Sequence, residues 1–290
     1  MPHTKIARRG TNVLVVALAC LALTSLPSGA HSQEGAPLEP VVGEPFTVTL
    51  PGGLVEIEMV PVPAGTLASG DGEAQVGPFW MAKTETTWDA YDVLVFRLDL
   101  PEEERQKDMD GDTRPTKPYM LADRGYGHAG YPAISLSPKG AEAFCTWLSE
   151  ATGQHFRLPS AAEFAWAARA GSDTPFCCGE PKGLGDFAWT RENAGRKTQP
   201  VGTKQPNAFG LHDLHGNVTE WAHSADGSPL ACGGAFRDSA AKCGADAQRV
   251  PTPAWNSGDP QMPKSVWWLT EGNFAGFRIV CDPTPRPAGE

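Results

Sequence analysis

Six cysteines stand beyond the first thirty residues: Cys145, Cys177, Cys178, Cys232, Cys243 and Cys281. A thiol can pair, bind a soft metal or act as a nucleophile, and spacing and compartment decide which. No Cys-x-x-Cys is present, and no Cys/His spacing fits a zinc finger. His212, His215 and His223 lie close in sequence, but no zinc water-activating Glu arrangement accompanies them. Asp108-Met109-Asp110-Gly111-Asp112 resembles the start of a calcium loop. An EF-hand needs Gly at its sixth position and Glu at its twelfth, where this chain has Thr113 and Tyr119. A solvated acidic turn is the expectation there.

The N-terminus sets the compartment. Lys5, Arg8 and Arg9 precede an apolar run from Val13 to Leu26, and the small residues Ser28-Gly29-Ala30 follow. That is the order of a secretory signal. The run is shorter than the roughly twenty residues of a spanning helix. Residues 1–30 therefore read as a cleaved signal rather than an uncleaved anchor, and the mature protein as periplasmic or extracellular. In such a compartment an even cysteine count points to disulfides. Cleavage removes three cations and no acid, so the formal charge falls from −10 to −13. Such a surface repels nucleic acid and anionic membrane, so neither is an expected partner. A monomer is expected.

These groups need a scaffold, and the composition describes it. Hydrophobic residues at 40% and nine Trp exclude a disordered chain, while 32 Gly and 27 Pro imply many loops. Residues 31–45 form a polar linker. FTVTL at Phe46 and LVEIEMV at Leu54 alternate as strands. Thr84 to Leu98 carries a helix start and aromatics at helical spacing, and residues 101–118 read as a charged loop. Ser137 to Ala151 is a helix with a Ser cap and Pro in its first turn. Ser160 to Ala170 opens with a Ser-x-x-Glu capping box. Beyond Gly171, short strands and turns predominate. Residues 283–290 make a Pro-rich tail. The expected architecture is α+β, one domain over 46–282. Most Trp are expected in the core, with one of the adjacent Trp267 and Trp268 facing a cleft.

Seven segments in order are more specific than any one alone. They are MVPVPAG from Met59, FWMAKTETT from Phe79, YPAISLSPKGAEAFCTWLS from Tyr131 and FRLPSAAEFAWAARAG from Phe156. PNAFGLHDLHGNVTEWAHS from Pro206, CGGAFRDS from Cys232 and NFAGFRIV from Asn273 complete the set. Together they resemble the formylglycine-generating enzymes, or sulfatase-modifying factors, across about residues 55–282. The resemblance implies a C-type-lectin-like fold with little regular secondary structure and bound calcium.

It also implies a chemistry and shows where this chain departs from it. Active members oxidise a cysteine of a sulfatase, in a Cys-x-Pro-x-Arg context, to formylglycine. They use oxygen and copper(I) on two thiolates five residues apart, soft ligands for a soft ion. The second thiolate position matches Cys243; the first matches Asp238, a hard oxygen ligand. Ala235 replaces the turn Ser, Cys232 an Arg and Thr219 a Trp. A copper role for Cys243 would need Cys232 or Asp238 as partner; a Cys232–Cys243 disulfide and separate core thiols are the other readings. The family's calcium cage maps onto Asp213, the carbonyls of Gly216 and Val218, and the Glu220 carboxylate, hard oxygens that suit the ion. A second calcium would use Asn193 and the Ala194 carbonyl, although the following GRKTQ loop lacks the family's Asp. The resemblance further implies a Cys145–Cys281 disulfide.

Two classes of function remain. One is a catalytically degenerate, calcium-stabilised scaffold that binds a peptide, protein or glycan. The other is a copper-dependent oxidoreductase acting through Cys243, with Asp238 beside it. The missing first thiolate favours the scaffold.

Overall fold

The structure is a computed structural model and describes residues 43–283, apart from 70–71, 106–110 and 112. The signal, residues 31–42 of the linker, most of the acidic turn and the tail from 284 lie outside the described residues.

Side-chain caps start the main helices. Thr87 accepts a hydrogen bond from the Ala90 N–H and opens α1, Trp88–Val95. Helix α1 is shorter than the expected 84–98. Thr87 bridges Pro132 as extended chain before it, and Arg97 takes a left-handed φ of 56° after it. A single turn, α2 at Glu102–Arg105, replaces part of the expected charged loop, with three acids in its first turn and Arg105 in its last. Ser137 caps α3, Pro138–Thr152, and Gly153 at φ 72° ends it. The capping box of Ser160 and Glu163 opens α4, Ala161–Arg169.

The strands are short. Phe46–Thr49 (β1), Glu56–Val62 (β2), Gly65–Ser69 (β3), Gly72–Val76 (β4) and Phe79–Ala82 (β5) precede the helices. Phe156–Arg157 (β6) lies between α3 and α4. Thr219–His223 (β7), Pro229–Cys232 (β8), Gln248–Arg249 (β9), Ala275–Gly276 (β10) and Val280–Cys281 (β11) follow. One sheet runs β1-β2-β5-β11-β6, another β10-β7-β8-β9, and β3 pairs with β4 as a hairpin. The late strand β11 is thus inserted between early strands, with Val280 opposite both Met81 and Arg157. The first sheet cannot be completed until the C-terminal segment arrives.

Aromatic residues fill the main core. Tyr91, Phe144 and Phe277 meet with ring centroids 5.5–6.0 Å apart, tying α1 and α3 to the GFR segment. Trp221 is fully buried, and its Nε1–H donates to the Leu136 carbonyl. Trp267 and Trp268 are both buried, so neither faces out, although Trp267 does line a cavity beside Arg114 and Trp147. Their indole N–H groups donate to the carbonyls of Gly111 and Thr116, which draws both rings inward.

The cysteine expectation is corrected as well. Cys145, Cys177, Cys178, Cys232, Cys243 and Cys281 are all free thiols. Cys145 and Cys281 share the main apolar cluster without bonding. The Cys281 thiol is directed to the Asp282 carbonyl, 3.6 Å away. Burial pushes both thiols up, Cys281 to about 11.

Candidate functional site

Two groups of expected residues lie at the same end of the antiparallel β7–β8 pair, where Glu220 stands opposite Cys232. The first is a buried carboxylate cluster. Glu220 on β7 faces the core, where Arg278 donates from Nε and Nη2 to its two oxygens, both at 2.8 Å. Arg278 also donates to the carbonyls of Ala82, Lys83 and His212. It thereby fastens the end of β5, the His212 segment ahead of the Gly-Asn turn, and its own segment to one another. Two further acids adjoin this pair. Asp213 Oδ2 accepts from the Gly202 N–H, but its Oδ1 is buried without a partner. Both carboxyl oxygens of Glu85 are buried without a partner. Burial drives the Glu85 carboxyl well above its ordinary range, with Asp213 and Glu220 adding to the effect. Burial likewise raises Asp213 to about 6. Three acids thus face one guanidinium in the interior, a surplus that a proton or a cation must balance.

The backbone around this cluster is strained. Asp213 and Asn217 have φ of 62° and 54°, in the left-handed region that Asp and Asn tolerate better than most residues. Asn217 holds the turn by accepting from the Gln199 N–H and donating to its carbonyl. The calcium positions Asp213, Gly216, Val218 and Glu220 are therefore gathered on one turn and the strand after it. The orphaned Asp213 Oδ1 suits a hard cation. Each Glu220 oxygen keeps acceptor capacity beyond its bond to Arg278. Among the described residues, no three His, Cys, Asp or Glu side chains converge as a metal site; the expected cage asks for only two.

At the second calcium position the polar groups are engaged by hydrogen bonds within the chain. Asn193 accepts from the Thr190 N–H and donates to the Ala188 carbonyl. The Gln199 amide donates to the Ala194 carbonyl at 2.8 Å, where a cation would be needed.

The second group surrounds Cys243. Gly233 and Gly234, at φ 86° and 77°, carry the chain from β8 into a tight loop. A Cβ on Gly234 would stand 2.7 Å from the Cys243 sulfur, so only glycine lets the loop lie against the thiol. Cys243 is fully buried with Phe176, Leu184 and Ala188. Burial and the nearby Asp238 push its thiol to about 12. His215 braces it from behind, its Nδ1 lying 2.9 Å from the Cys243 carbonyl and its Nε2 accepting from the Cys177 N–H. His212 and His223 serve loop carbonyls elsewhere, at Lys204 and Gly227.

Asp238 is occupied. It accepts from the Ala235 N–H at 2.9 Å and pairs with Arg249 at 2.5 Å. Cys232 packs in a different apolar cluster, with Phe164 and Leu214, and burial pushes its thiol to about 12. Cys232 and Cys243 thus lie in separate apolar clusters and Asp238 is held by Arg249, an arrangement without the paired thiolates that suit copper(I). Beside them opens a polar cavity of about 410 Å³ lined by Gly234, Lys242, Gln248 and Arg249, among others.

The sequence reading did not single out Glu85, Arg278, Arg237 or Arg249. Arg278 carried a visible signal, a cation between Phe277 and Ile279 in an otherwise apolar run. A buried charge in such a run requires a buried partner.

The architecture belongs to a known class. The family model for the sulfatase-modifying factor enzyme 1-like domain matches residues 38–283, and the chain belongs to that family. Its fold is the C-type-lectin-like fold of the formylglycine-generating enzymes. The formylglycine-generating enzyme of Mycobacterium tuberculosis is 30% identical over 131 residues, covering 39% of this chain and 40% of that enzyme. The chain thus spans well under two thirds of that relative's length. Among solved structures, Treponema denticola variable protein 1 superposes with a TM-score of 0.60 at 21% identity, covering 83% of this chain and all of that one. PvdO from Pseudomonas aeruginosa gives 0.55 at 25% identity, covering 78% and 94%.

Proposed function

We propose that the chain is an exported, catalytically diverged member of the sulfatase-modifying-factor family that binds a peptide or glycan as a calcium-stabilised scaffold. The observation that carries this reading is the state of Asp238. It stands at the first thiolate position, and its carboxylate is engaged by Arg249 and the Ala235 N–H. The remaining thiol, Cys243, is buried and protonated at neutral pH. Oxidation through a metal-bound thiolate needs the opposite: a depressed pKa and access. The loop keeps its turn and its cavity, which favours binding over thiol chemistry.

Calcium fits the role of structural ion. Asp213, the Gly216 and Val218 carbonyls and Glu220 would hold it, and its charge would offset the surplus of buried acid beside Arg278. The N-terminal signal pattern supports export.

The test is an anaerobic copper(I) competition titration of the protein beside Cys243→Ala. Equal, weak binding by both is expected. Tight binding lost in C243A would overturn the scaffold reading in favour of a copper-dependent oxidoreductase. For calcium, a melting temperature that rises with added calcium and falls with chelator is expected; no change would remove the ion from the proposal.

A further inference from the structure

The rim of the cavity beside Cys243 is positive on a strongly negative protein. Lys242 and Arg249 line it against Asp246, and Arg237 stands close to Arg249 and Asp238, whereas the whole chain carries −10. Arg237 is the unusual member. It is exposed, and its guanidinium lies 3.3 Å above the ring centre of Phe274. Among the described residues it has no hydrogen-bond or ion-pair acceptor. Arg249 lies over the same ring at 5.9 Å. Burial lowers the Arg237 pKa, and the like charge of Arg249 lowers it further. Two guanidinium groups are thus held together over one aromatic ring. One is engaged by Asp238 through a single nitrogen, and the other is free.

Like charges gathered in this way suit an anion that bridges them. Stacking fixes the Arg237 plane in advance, which reduces the ordering cost of binding. A flat guanidinium edge matches a planar carboxylate, which it can grip with two parallel hydrogen bonds. A glycan is disfavoured here because the ring that could support a sugar is already covered. Arg237 takes one face of Phe274, and Trp255 packs against it edge-on at 4.7 Å. The adjoining cavity offers Gln248 and Lys242, which make no side-chain hydrogen bond among the described residues.

We infer that Arg237 and Arg249 form a clamp for an Asp or Glu side chain of a peptide seated in the cavity lined by Gly234, Lys242 and Gln248. This rests on the scaffold reading and narrows it to acidic peptides.

The experiment is fluorescence anisotropy with the labelled peptide Gly-Ser-Glu-Glu-Gly-Ser, its Gln-Gln and Lys-Lys counterparts, and labelled maltotetraose. The protein is compared with Arg237→Gln, a change at an exposed, unpaired residue, with melting curves as the folding control. The Glu-Glu peptide is expected to bind at least tenfold tighter than the Gln-Gln peptide. R237Q should weaken it about tenfold, and added salt should weaken it further. Equal affinity for the Glu-Glu and Gln-Gln peptides, or no effect of R237Q, overturns the clamp. So does inorganic phosphate displacing the Glu-Glu peptide as strongly as free glutarate does, since the site would then select charge alone. Binding of the Lys-Lys peptide or maltotetraose without dependence on Arg237 overturns the clamp and leaves the scaffold reading standing. Failure of all four probes to bind sinks the clamp and counts against the scaffold as well.

Discussion

Asp238–Arg249 and Glu220–Arg278 are both carboxylate–guanidinium pairs, and β7 and β8 connect the regions that hold them. The Glu220–Arg278 pair is fully buried and is joined by three backbone carbonyls from two other parts of the chain. The Asp238–Arg249 pair lies at a cavity mouth, with side chains 12% and 30% exposed. A buried charge that loses its partner cannot be rescued by water, so the interior pair is tied to the fold. A rim pair can change partner at little cost to stability. This contrast separates a charge pair that holds the framework from one that lies on a replaceable rim. Ligand types at the loop can change without unfolding the protein beneath it.

The largest expected effect tests the interior pair. Arg278→Met should leave Glu220 charged, buried and unpaired, and should cost about 3–5 kcal/mol in urea unfolding. A loss below about 1 kcal/mol would show that water reaches the pair and would erase the contrast. A smaller change of opposite sign tests the surplus acid. Glu85→Gln removes a buried carboxyl with no partner, so the chelator-treated protein should gain on the order of 1 kcal/mol. The same substitution should shrink the gain in melting temperature on adding calcium, because the ion then offsets less negative charge. Destabilisation by E85Q would mean that Glu85 has a partner that the structure does not show. At the rim, Asp238→Asn should cost about 1 kcal/mol or less in the same urea measurement, with the Ala235 N–H still served by the amide oxygen. A loss as large as that of R278M would make the two regions equivalent.

The smallest effect concerns a third, half-exposed charge group that lies between these extremes. His128 stacks on Trp88 and reaches Asp92 at 2.9 Å and Asp123 at 3.2 Å. Its burial opposes protonation, but hydrogen bonds to the two carboxylates, with their charge, raise its pKa overall. A histidine pKa raised by folding contributes stability that is complete below its ordinary value near 6.5 and is lost as pH rises through the folded value. Melting temperature should therefore drop slightly from pH 6 to pH 8, and His128→Gln should flatten that drop. Solvent screening keeps the effect small. An unchanged slope in H128Q would assign it to another group.

Much of this was legible in the chain, and the reason is locality. Ser137, Ser160 and Glu163 act on backbone N–H groups within three residues, so the starts of α3 and α4 could be read directly. The ordered motifs led to the family. Errors arose where distant segments decide. The disulfide between Cys145 and Cys281 was inferred from resemblance, but the two thiols share a cluster unbonded. Trp267 and Trp268 are both drawn inward by carbonyls more than a hundred residues away. A short turn at Glu102–Arg105 formed within a stretch too charged to show apolar periodicity.

The sequence by itself determined the capped helices, the family and the net negative charge, because each depends on residue type or near neighbours. The tertiary structure alone decided which charges meet. Glu220 and Arg278 are 58 residues apart, and the rings and guanidinium groups of Phe274, Arg237 and Arg249 come from three separate segments. Burial then sets the meaning of each group. It makes the first pair a clasp for the fold, keeps the Cys243 thiol protonated, and leaves Arg237 at the surface with a free edge.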